Sequence, residues 1–345
     1  MVLGLGVVSL AADMVYEGAR SVTGLTAVGV PLLALTPLLA TGGAVLASVL
    51  LLLERFGKAV RSPSKSVLLA RAAQDVGLGR GFGVHKAMDQ VGAFVGPLLV
   101  AAVLAGTGSF VPSLAVLAVP GALAMVLLVV MRRLAPDDDP APAEVRPRAA
   151  TGPLGWLAPA RDLPGEFWVF AAGAAAVGAG LTTFAVISYH LVDDELLAPA
   201  VVPVVYAGAM LAAAVGALVV GALHDRFGPR AVLVVPVLVA AVPPLAFGAA
   251  LPAVLTGVGL WGLAGGVLDS TVKARVAELV HPGRRATAYG WFAAVQGVAA
   301  VVGGVLAGAW AADALGVLVV VVAVLQVVAL VLLARGAGPV RRAGG

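Results

Sequence analysis

Apolar runs of about 18 residues or longer recur along almost the whole chain, and they limit the possible fold more than any other feature. Each run is long enough to cross the hydrocarbon core of a bilayer as a helix. Only 12% of the residues are charged, whereas soluble domains carry roughly twice that share. Barrel strands would be shorter and would alternate polar with apolar residues. The sequence therefore predicts an all-α polytopic membrane protein, because helices satisfy their backbone polar groups internally in lipid.

The apolar runs predict about 10–11 transmembrane helices. The predicted spans cover residues 25–41, 43–60, 87–106, 110–131, 167–190, 201–222, 231–250, 252–272, 287–310 and 314–334. Segment 1–22 is the eleventh candidate, but charged residues interrupt it.

Positive charge is distributed very unevenly between the two sets of loops. If the loops alternate sides, one side receives 21 of the 22 Lys and Arg residues, with Arg20 as the exception. The opposite loops carry acidic residues instead, including Asp193 and Asp313. Basic loops stay in the cytoplasm, so the basic side is predicted to be cytoplasmic. This arrangement explains the net charge of +4 without a nucleic-acid partner.

A Pro-, Asp- and Arg-rich stretch divides the apolar part of the chain into two unequal halves. Its composition cannot bury enough apolar surface to fold alone, so it is predicted to be a cytoplasmic linker. The predicted organisation is an N-terminal bundle at 1–131, a linker at 132–166, a six-helix C-terminal bundle at 167–335 and a cytoplasmic tail at 336–345. Span 25–41 must run from the cytoplasm to the outside, so segment 1–22 must end in the cytoplasm. A six-helix half would begin in the cytoplasm and have one more helix at this point. The first half is therefore expected to lack about one helix.

Two stretches share one pattern of residues and suggest that the halves are a parallel repeat. Residues 83–97 read GVHKAMDQVGAFVGP, and residues 290–304 read GWFAAVQGVAAVVGG. Without a gap, Gly83 aligns with Gly290, and Asp89 aligns with the neutral Gln296. The fold is therefore predicted to consist of two helical bundles related by this repeat.

A short loop motif, GALHDRFGPR at residues 221–230, lies between two predicted spans. Gly221 allows close helix contact, and Gly228 permits the turn. Asp225 can accept hydrogen bonds from the amides of a helix N-terminus. Arg226 and Arg230 would face an anionic membrane surface.

This loop motif resembles that of the major facilitator superfamily of secondary transporters. The resemblance extends to ERFGKAVRSPSK at 54–65, GFGVHKAMDQVGAFVGP at 81–97 and AELVHPGRRATAYG at 277–290. It covers roughly residues 25–335, and the parallel repeat agrees with the two related halves of that family. It implies alternating access around a central cavity. The first half departs from the family because it has no copy of the loop motif.

Small residues in span 87–106 resemble the fifth-helix motif of antiporter members of this superfamily. Gly92, Gly96 and Pro97 match that motif, and the equivalents of Gly96 and Pro97 in the second copy are Gly303 and Gly304. The resemblance favours efflux. Close helix packing explains the same residues equally well.

Asp89 is the acidic residue that most suggests proton coupling. A carboxylate desolvated within a membrane helix can carry a proton, and His85 lies one helical turn before it and could relay that proton. The alternative is a structural ion pair with Lys86 or with a basic loop residue.

Three further sets of ionisable residues are candidates for the transport pathway or its gate. Asp13, Glu17 and Arg20 lie on one helical face and would line a cavity in the family's first helix. Glu54 can pair with Lys58 one turn later, with Arg61 about two turns on, either as a coupling site or as a cytoplasmic-gate ion pair. Asp269 and Lys273 also have i,i+4 spacing, and a structural pair is favoured for them.

These features predict a proton-coupled secondary transporter of a small organic molecule, with a preference for efflux. The predicted partners are the substrate, protons and the lipid bilayer, and the protein is expected to be a monomer in the cell membrane. No nucleotide-binding loop or metal-ligand spacing is found in the sequence, so neither a cofactor nor an enzymatic activity is predicted. The alternative is a transport-incompetent or truncated membrane protein with a structural or binding role, suggested by the short first half.

Overall fold

The computed structural model describes Leu10 and residues 62–134, 158–198 and 201–336. The regular secondary structure in these ranges is entirely helical. The spans predicted at 25–41 and 43–60 lie outside the described residues, as does all of segment 1–22 except Leu10. The same holds for six candidate residues, namely Asp13, Glu17, Arg20, Glu54, Lys58 and Arg61.

The helices of the described part of the chain follow one another with short connections. In chain order they are α1 (62–72), α2 (Leu78–Thr107), α3 (Phe110–Ala115), α4 (Ala118–Leu134), α5 (Ala158–Arg161), α6 (Gly165–Gly180), α7 (Phe184–Asp193), α8 (Val202–Phe227), α9 (Val234–Ala246), α10 (Leu251–Asp269), α11 (Thr271–Leu279), α12 (Arg285–Trp310) and α13 (Leu315–Gly336). Single 3₁₀ turns at Pro229–Leu233 and Pro282–Arg284 precede α9 and α12.

Seven helical segments of the described residues are long and apolar enough to cross a membrane. One is α2, and the other six lie between residues 165 and 336. The prediction of an all-α polytopic membrane protein is therefore confirmed. The outer face of α13 illustrates the reason, because Val317, Val320, Val324 and Val327 are exposed along one helical stripe. Such a stripe is stable only against lipid or another apolar surface.

Helix α2 begins nine residues earlier than the predicted span at 87–106. The charged residues Arg80, His85 and Lys86 interrupt the apolar run, so the run alone does not predict the first turns of α2. These turns are helical because their exposed N-terminal amides are capped by a carboxylate from α8, as described below. At 30 residues, α2 is longer than a membrane crossing requires.

The predicted span 110–131 is interrupted at Val116 and Leu117, where α3 ends and α4 has not yet begun. Pro120 has no amide hydrogen, so it cannot donate to the carbonyl of Val116 as a continuous helix would require. The amide of Val119 donates to that carbonyl instead, at 3.1 Å. The physical cause of the break is therefore a proline one turn into α4.

Two of the predicted spans in the second half are pairs of helices with a break between them. Residues 181–183 separate α6 from α7, and the freed carbonyl of Thr182 accepts a hydrogen bond from the indole of Trp261 at 2.6 Å. Ser270 separates α10 from α11, and its hydroxyl donates to the carbonyl of Gly266 at 2.7 Å. Irregular backbone inside a membrane is tolerated where such partners are available.

The most extensive helix contact joins α2 of the first half to α8 of the second. Within the second half, α6 packs against α12 and α13, and α10 packs against α8 and α9. Several connections meet at one end of the bundle, where Arg284 donates to the carbonyl of Asp162 and Arg275 donates to the carbonyl of Gly336. This end, which also contains the start of α2 and the end of α8, is called the basic side below.

Candidate functional site at the junction of the two halves

Small residues bring α2 and α8 into backbone contact at the basic side. A Cβ atom added to Gly83 would lie 2.6 Å from the carbonyl oxygen of Ala217, and one added to Gly221 would lie 2.5 Å from that of Gly79. Neither position can accept a side chain without moving a helix. We call the contact formed by Gly79, Gly83, Ala217 and Gly221 the seam. It joins the two halves as closely as two backbones can approach.

The carboxylate of Asp225 closes the basic end of the seam. It accepts hydrogen bonds from the backbone amides of Gly79 at 2.8 Å and Arg80 at 2.7 Å, which belong to the first turn of α2. These amides have no partner within their own helix, and a negative charge there is favoured by the helix dipole. Gly77 precedes α2 with a φ of 95° and lies directly against this carboxylate, where no side chain would fit.

The rest of the loop motif shapes the turn after α8. Gly228 ends α8 with a φ of 80°, a conformation that L-residues rarely adopt. Arg226 and Arg230 are exposed at the basic side, and the guanidinium of Arg226 lies 5.2 Å from the ring centroid of Phe227. The motif therefore combines a cap for α2, a turn and two exposed cations in ten residues.

Asp89 lies in the interior of the first half, with only 7% of its surface exposed. Its carboxylate is 3.5 Å from the ammonium of Lys65 on α1 and 3.7 Å from Nε2 of His85. Among the described residues, the lysine that pairs with Asp89 is therefore Lys65 and not Lys86. His85 is 4% exposed, and neither of its ring nitrogens has a hydrogen bond within the described part of the chain.

Lys86 does not pair with Asp89 but crosses the junction to Asp269 on α10, at 2.9 Å. Asp269 also holds Lys273 at 3.0 Å, which is the i,i+4 pair expected from the sequence. One carboxylate thus binds two ammonium groups, one from each half. We call Lys86, Asp269 and Lys273 the charge triad.

A cavity of about 380 Å³ lies beside the charge triad, between α1 and the second half. Asp269 and Lys273 line it together with Tyr289 and Gln296 of α12. Residues 62, 63 and 66 of α1 form the wall contributed by the first half. The volume lies within the range of small-molecule sites.

The glycines singled out by the repeat differ in their described surroundings. Gly92 lies directly against the backbone of Leu10, and a Cβ added to Gly303 would lie 2.6 Å from the carbonyl of Ala179. Gly96 and Pro97 are buried in α2. At Gly304, an added Cβ would meet no atom of the described residues within 4 Å, so the packing role of that residue stays a prediction.

A buried polar network beneath the loop motif was missed in the sequence. His224 of α8 is 2% exposed, and its Nε2 lies 2.8 Å from the carboxylate of Glu278 on α11. That carboxylate also accepts from Arg275 at 2.9 Å, and Arg275 donates to the carbonyl of Gly336 at 2.8 Å. The network ties α8, α11 and α13 together. The sequence feature that could have indicated this network is the histidine inside the loop motif, directly before Asp225.

His224→Leu is expected to lower the free energy of unfolding by about 1–3 kcal/mol, because it removes a buried partner of Glu278. Thermal unfolding of the purified protein in detergent measures the change. His281→Leu is the matched control, since that side chain is exposed and caps only a single turn. Equal losses from the two variants would contradict a stabilising role for the network.

Within residues 62–134, 158–198 and 201–336, no group of three or more His, Asp or Glu residues is placed to hold a metal ion. The site defined by the described residues is a cavity with an ion-paired wall, next to a tightly closed helix seam.

This architecture is that of a membrane transporter, and the sequence comparisons agree. The family model of the Major Facilitator Superfamily matches residues 168–344, which is just over half of the chain. The chain therefore belongs to the Major Facilitator Superfamily. Uncharacterized proteins of Mycobacterium tuberculosis and Mycobacterium bovis are each 40% identical to it, over 95% of this chain and 90% of their own length.

More distant relatives and solved structures belong to the same class. An uncharacterized MFS-type transporter of Methanocaldococcus jannaschii is 25% identical over 74% of this chain and 63% of its own length. The human organic anion transporter MFSD10 (TETRAN) has a similar structure, with a TM-score of 0.66, 18% identity, and coverage of 96% of this chain and 83% of that one. The transporter FucP in its outward conformation gives a TM-score of 0.59 at 13% identity, covering 98% of this chain and 89% of that one.

The alignment with the mycobacterial relatives is longer than this chain. It extends over 384 positions but covers only 95% of this chain, which is about 328 of its 345 residues, so about 56 positions (384 − 328) have no counterpart here. A membrane helix needs about 20 residues. The total number of these positions therefore exceeds the length of one membrane helix.

Proposed function

We propose that the protein is a proton-coupled secondary transporter that exports a small organic molecule across the cell membrane. Membership of the Major Facilitator Superfamily supports membrane transport in general. The single observation that supports proton coupling is Asp89, a buried carboxylate that contacts the helix lining the cavity. Its repeat partner Gln296 cannot carry a proton, so this chemistry belongs to the first half alone.

The position of α1 gives a physical route from protonation to substrate binding. Lys65 of α1 contacts Asp89, and Ser62 and Ser66 of the same helix line the cavity. Protonation of Asp89 removes one charge that attracts Lys65, and this favours a shift of α1. A shift of α1 changes the wall of the cavity, and in this way proton binding and substrate binding influence one another.

The seam supports alternating access. It holds α2 and α8 together at the basic side, which the distribution of Lys and Arg assigns to the cytoplasm. In this conformation the cytoplasmic end of the junction is closed by Asp225 and by glycine contacts. Opening requires that the Asp225 hydrogen bonds and the Lys86–Asp269 ion pair break together. The linker and the C-terminal tail then lie in the cytoplasm.

Efflux is favoured by the resemblance of Gly92, Gly96 and Pro97 to the fifth-helix motif of antiporters. The buried position of Gly96 and Pro97 in α2 also suits a helix that bends during transport.

We propose that the protein acts as a monomer with protons, substrate and lipid as its partners, and no catalytic role or cofactor is proposed.

Flux into proteoliposomes under an imposed pH gradient tests this proposal. The purified protein is reconstituted and assayed with a broad panel of radiolabelled small organic molecules. We expect at least one compound to accumulate against its gradient, and the accumulation to collapse when a protonophore removes the pH gradient. Gradient-independent flux across the whole panel would rule out proton coupling.

A second candidate is a membrane protein that does not transport and has a structural or binding role. The observation that favours it is the set of about 56 aligned positions (384 − 328) of the mycobacterial proteins that have no counterpart here, since a missing helix would leave the cavity incomplete. Topology mapping of the N-terminus discriminates between a complete and an interrupted first half. An N-terminus on the outside, combined with no flux of any compound, supports this second candidate.

A further inference from the structure

We infer that the cavity binds the anionic group of an amphipathic organic anion, and that Lys273 is the residue that holds it. The inference rests on the proposed transport function, because it assigns the substrate class of the same cavity. It follows from the way in which the charge triad shares one carboxylate between two lysines.

Asp269 is the carboxylate on which both lysines converge. Its two oxygens are occupied separately, with Oδ2 at 2.9 Å from the ammonium of Lys86 and Oδ1 at 3.0 Å from that of Lys273. Lys273 is therefore offered only half of the Asp269 carboxylate. An ammonium gains more from a full counter-charge than from a shared one.

Lys273 is the member of the triad that a ligand can reach and can separate from Asp269. It lines the cavity, and 29% of its side chain is exposed. The side chain of Lys86 is 16% exposed and does not belong to the cavity wall. An anion that enters the cavity therefore meets Lys273, while Asp269 keeps its contact with Lys86.

The remaining cavity wall fits an apolar body attached to one polar group. Leu181, Leu268 and Phe292 provide an apolar surface close to the triad. Gln296 lines the same wall, and its buried amide oxygen has no hydrogen-bond partner within the described residues. A ligand with a second polar group would find a partner there. The volume of about 380 Å³ suits a molecule with a single aromatic ring.

Three probes that differ only in their charged end test this inference. 4-Phenylbutyrate, 4-phenylbutylamine and 4-phenylbutanol share one apolar body, and their binding to the purified full-length protein is measured as the rise in the temperature of unfolding with probe concentration. We expect stabilisation by the anion and little effect of the amine or the alcohol. Stabilisation by the amine alone would assign binding to Asp269 instead, and equal effects of all three would exclude recognition of charge.

Substitutions in the triad should move the anion affinity in opposite directions. Lys273→Gln is expected to weaken 4-phenylbutyrate at least about tenfold, since it removes a charged hydrogen-bond donor. Asp269→Asn should strengthen it, because the competing carboxylate is lost. Lys273→Arg should restore most of the affinity, and the exposed Arg161→Gln serves as a control with wild-type binding. Unchanged affinity in a folded Lys273→Gln protein would overturn the inference.

The failure of this inference can be told apart from the failure of the proposed function. Anion binding without gradient-driven flux would leave the site in place and refute proton-coupled transport. Gradient-driven flux limited to amines or neutral compounds would retain the transporter and refute the anion site.

Discussion

Asp89→Asn is expected to abolish accumulation driven by a pH gradient while facilitated equilibration of the substrate continues. The neutral amide cannot bind or release a proton, so the attraction between residue 89 and Lys65 no longer depends on protonation. One pH unit corresponds to about 1.4 kcal/mol, which supports up to about tenfold accumulation for each coupled proton. The wild-type protein should approach that ratio, and the variant should stop at equal concentrations on both sides.

The control for this experiment is Asp75→Asn, which neutralises an exposed acid of the same half. It should accumulate substrate like the wild type. If Asp89→Asn retained the full pH dependence of transport, Asp89 would have no part in coupling, and the ion pair with Lys65 would be structural.

Gly221→Val is expected to prevent closure of the seam and to reduce transport at least about tenfold. Its Cβ would lie 2.5 Å from the carbonyl oxygen of Gly79, and its branches would need further space. Overpacking of this kind costs about 1–3 kcal/mol, and the helices can avoid the cost by separating. The variant should therefore shift the protein towards a state in which α2 and α8 are apart.

The sequence has no cysteine, so a single introduced cysteine reports this separation directly. Met210 is 6% exposed and accepts a hydrogen bond from Gln90 across the junction at 3.2 Å. A thiol introduced by Met210→Cys should react faster with a water-soluble maleimide in the Gly221→Val background than without it.

Gly208→Val is the matched control for the seam, because it places the same side chain on the same helix. No atom of the described residues lies within 4 Å of a Cβ at Gly208, and the residue is exposed. It should leave both transport and labelling unchanged. Equal labelling rates in the two valine variants would mean that the seam does not control access to the junction.

The architecture could be predicted because its causes are local in sequence. A helix needs a minimum length to cross the lipid bilayer, and the apolar composition of each run predicts such a helix. The same reasoning misplaced the start of α2, since its first turns carry charges and are capped by Asp225 from a helix about 145 residues later. A rule that counts apolar residues cannot detect a helix that is completed by a distant carboxylate.

The ion pairs of the site show the same division between local and distant causes. The pair Asp269–Lys273 follows from i,i+4 spacing and is present at 3.0 Å. The partner of Lys86 could not be predicted, because it lies 183 residues away and depends on how α2 rotates against α10. The contact between His224 and Glu278 was missed for the same reason, since each residue lies near the end of a different helix.

Proton movement driven by a substrate gradient tests the central claim most directly. Proteoliposomes loaded with a pH-sensitive dye are given an outward substrate gradient at equal pH and zero membrane potential. We predict that substrate efflux brings protons into the vesicles, that the internal pH falls, and that Asp89→Asn removes this signal. Substrate efflux with no change of internal pH in the wild-type protein would contradict it.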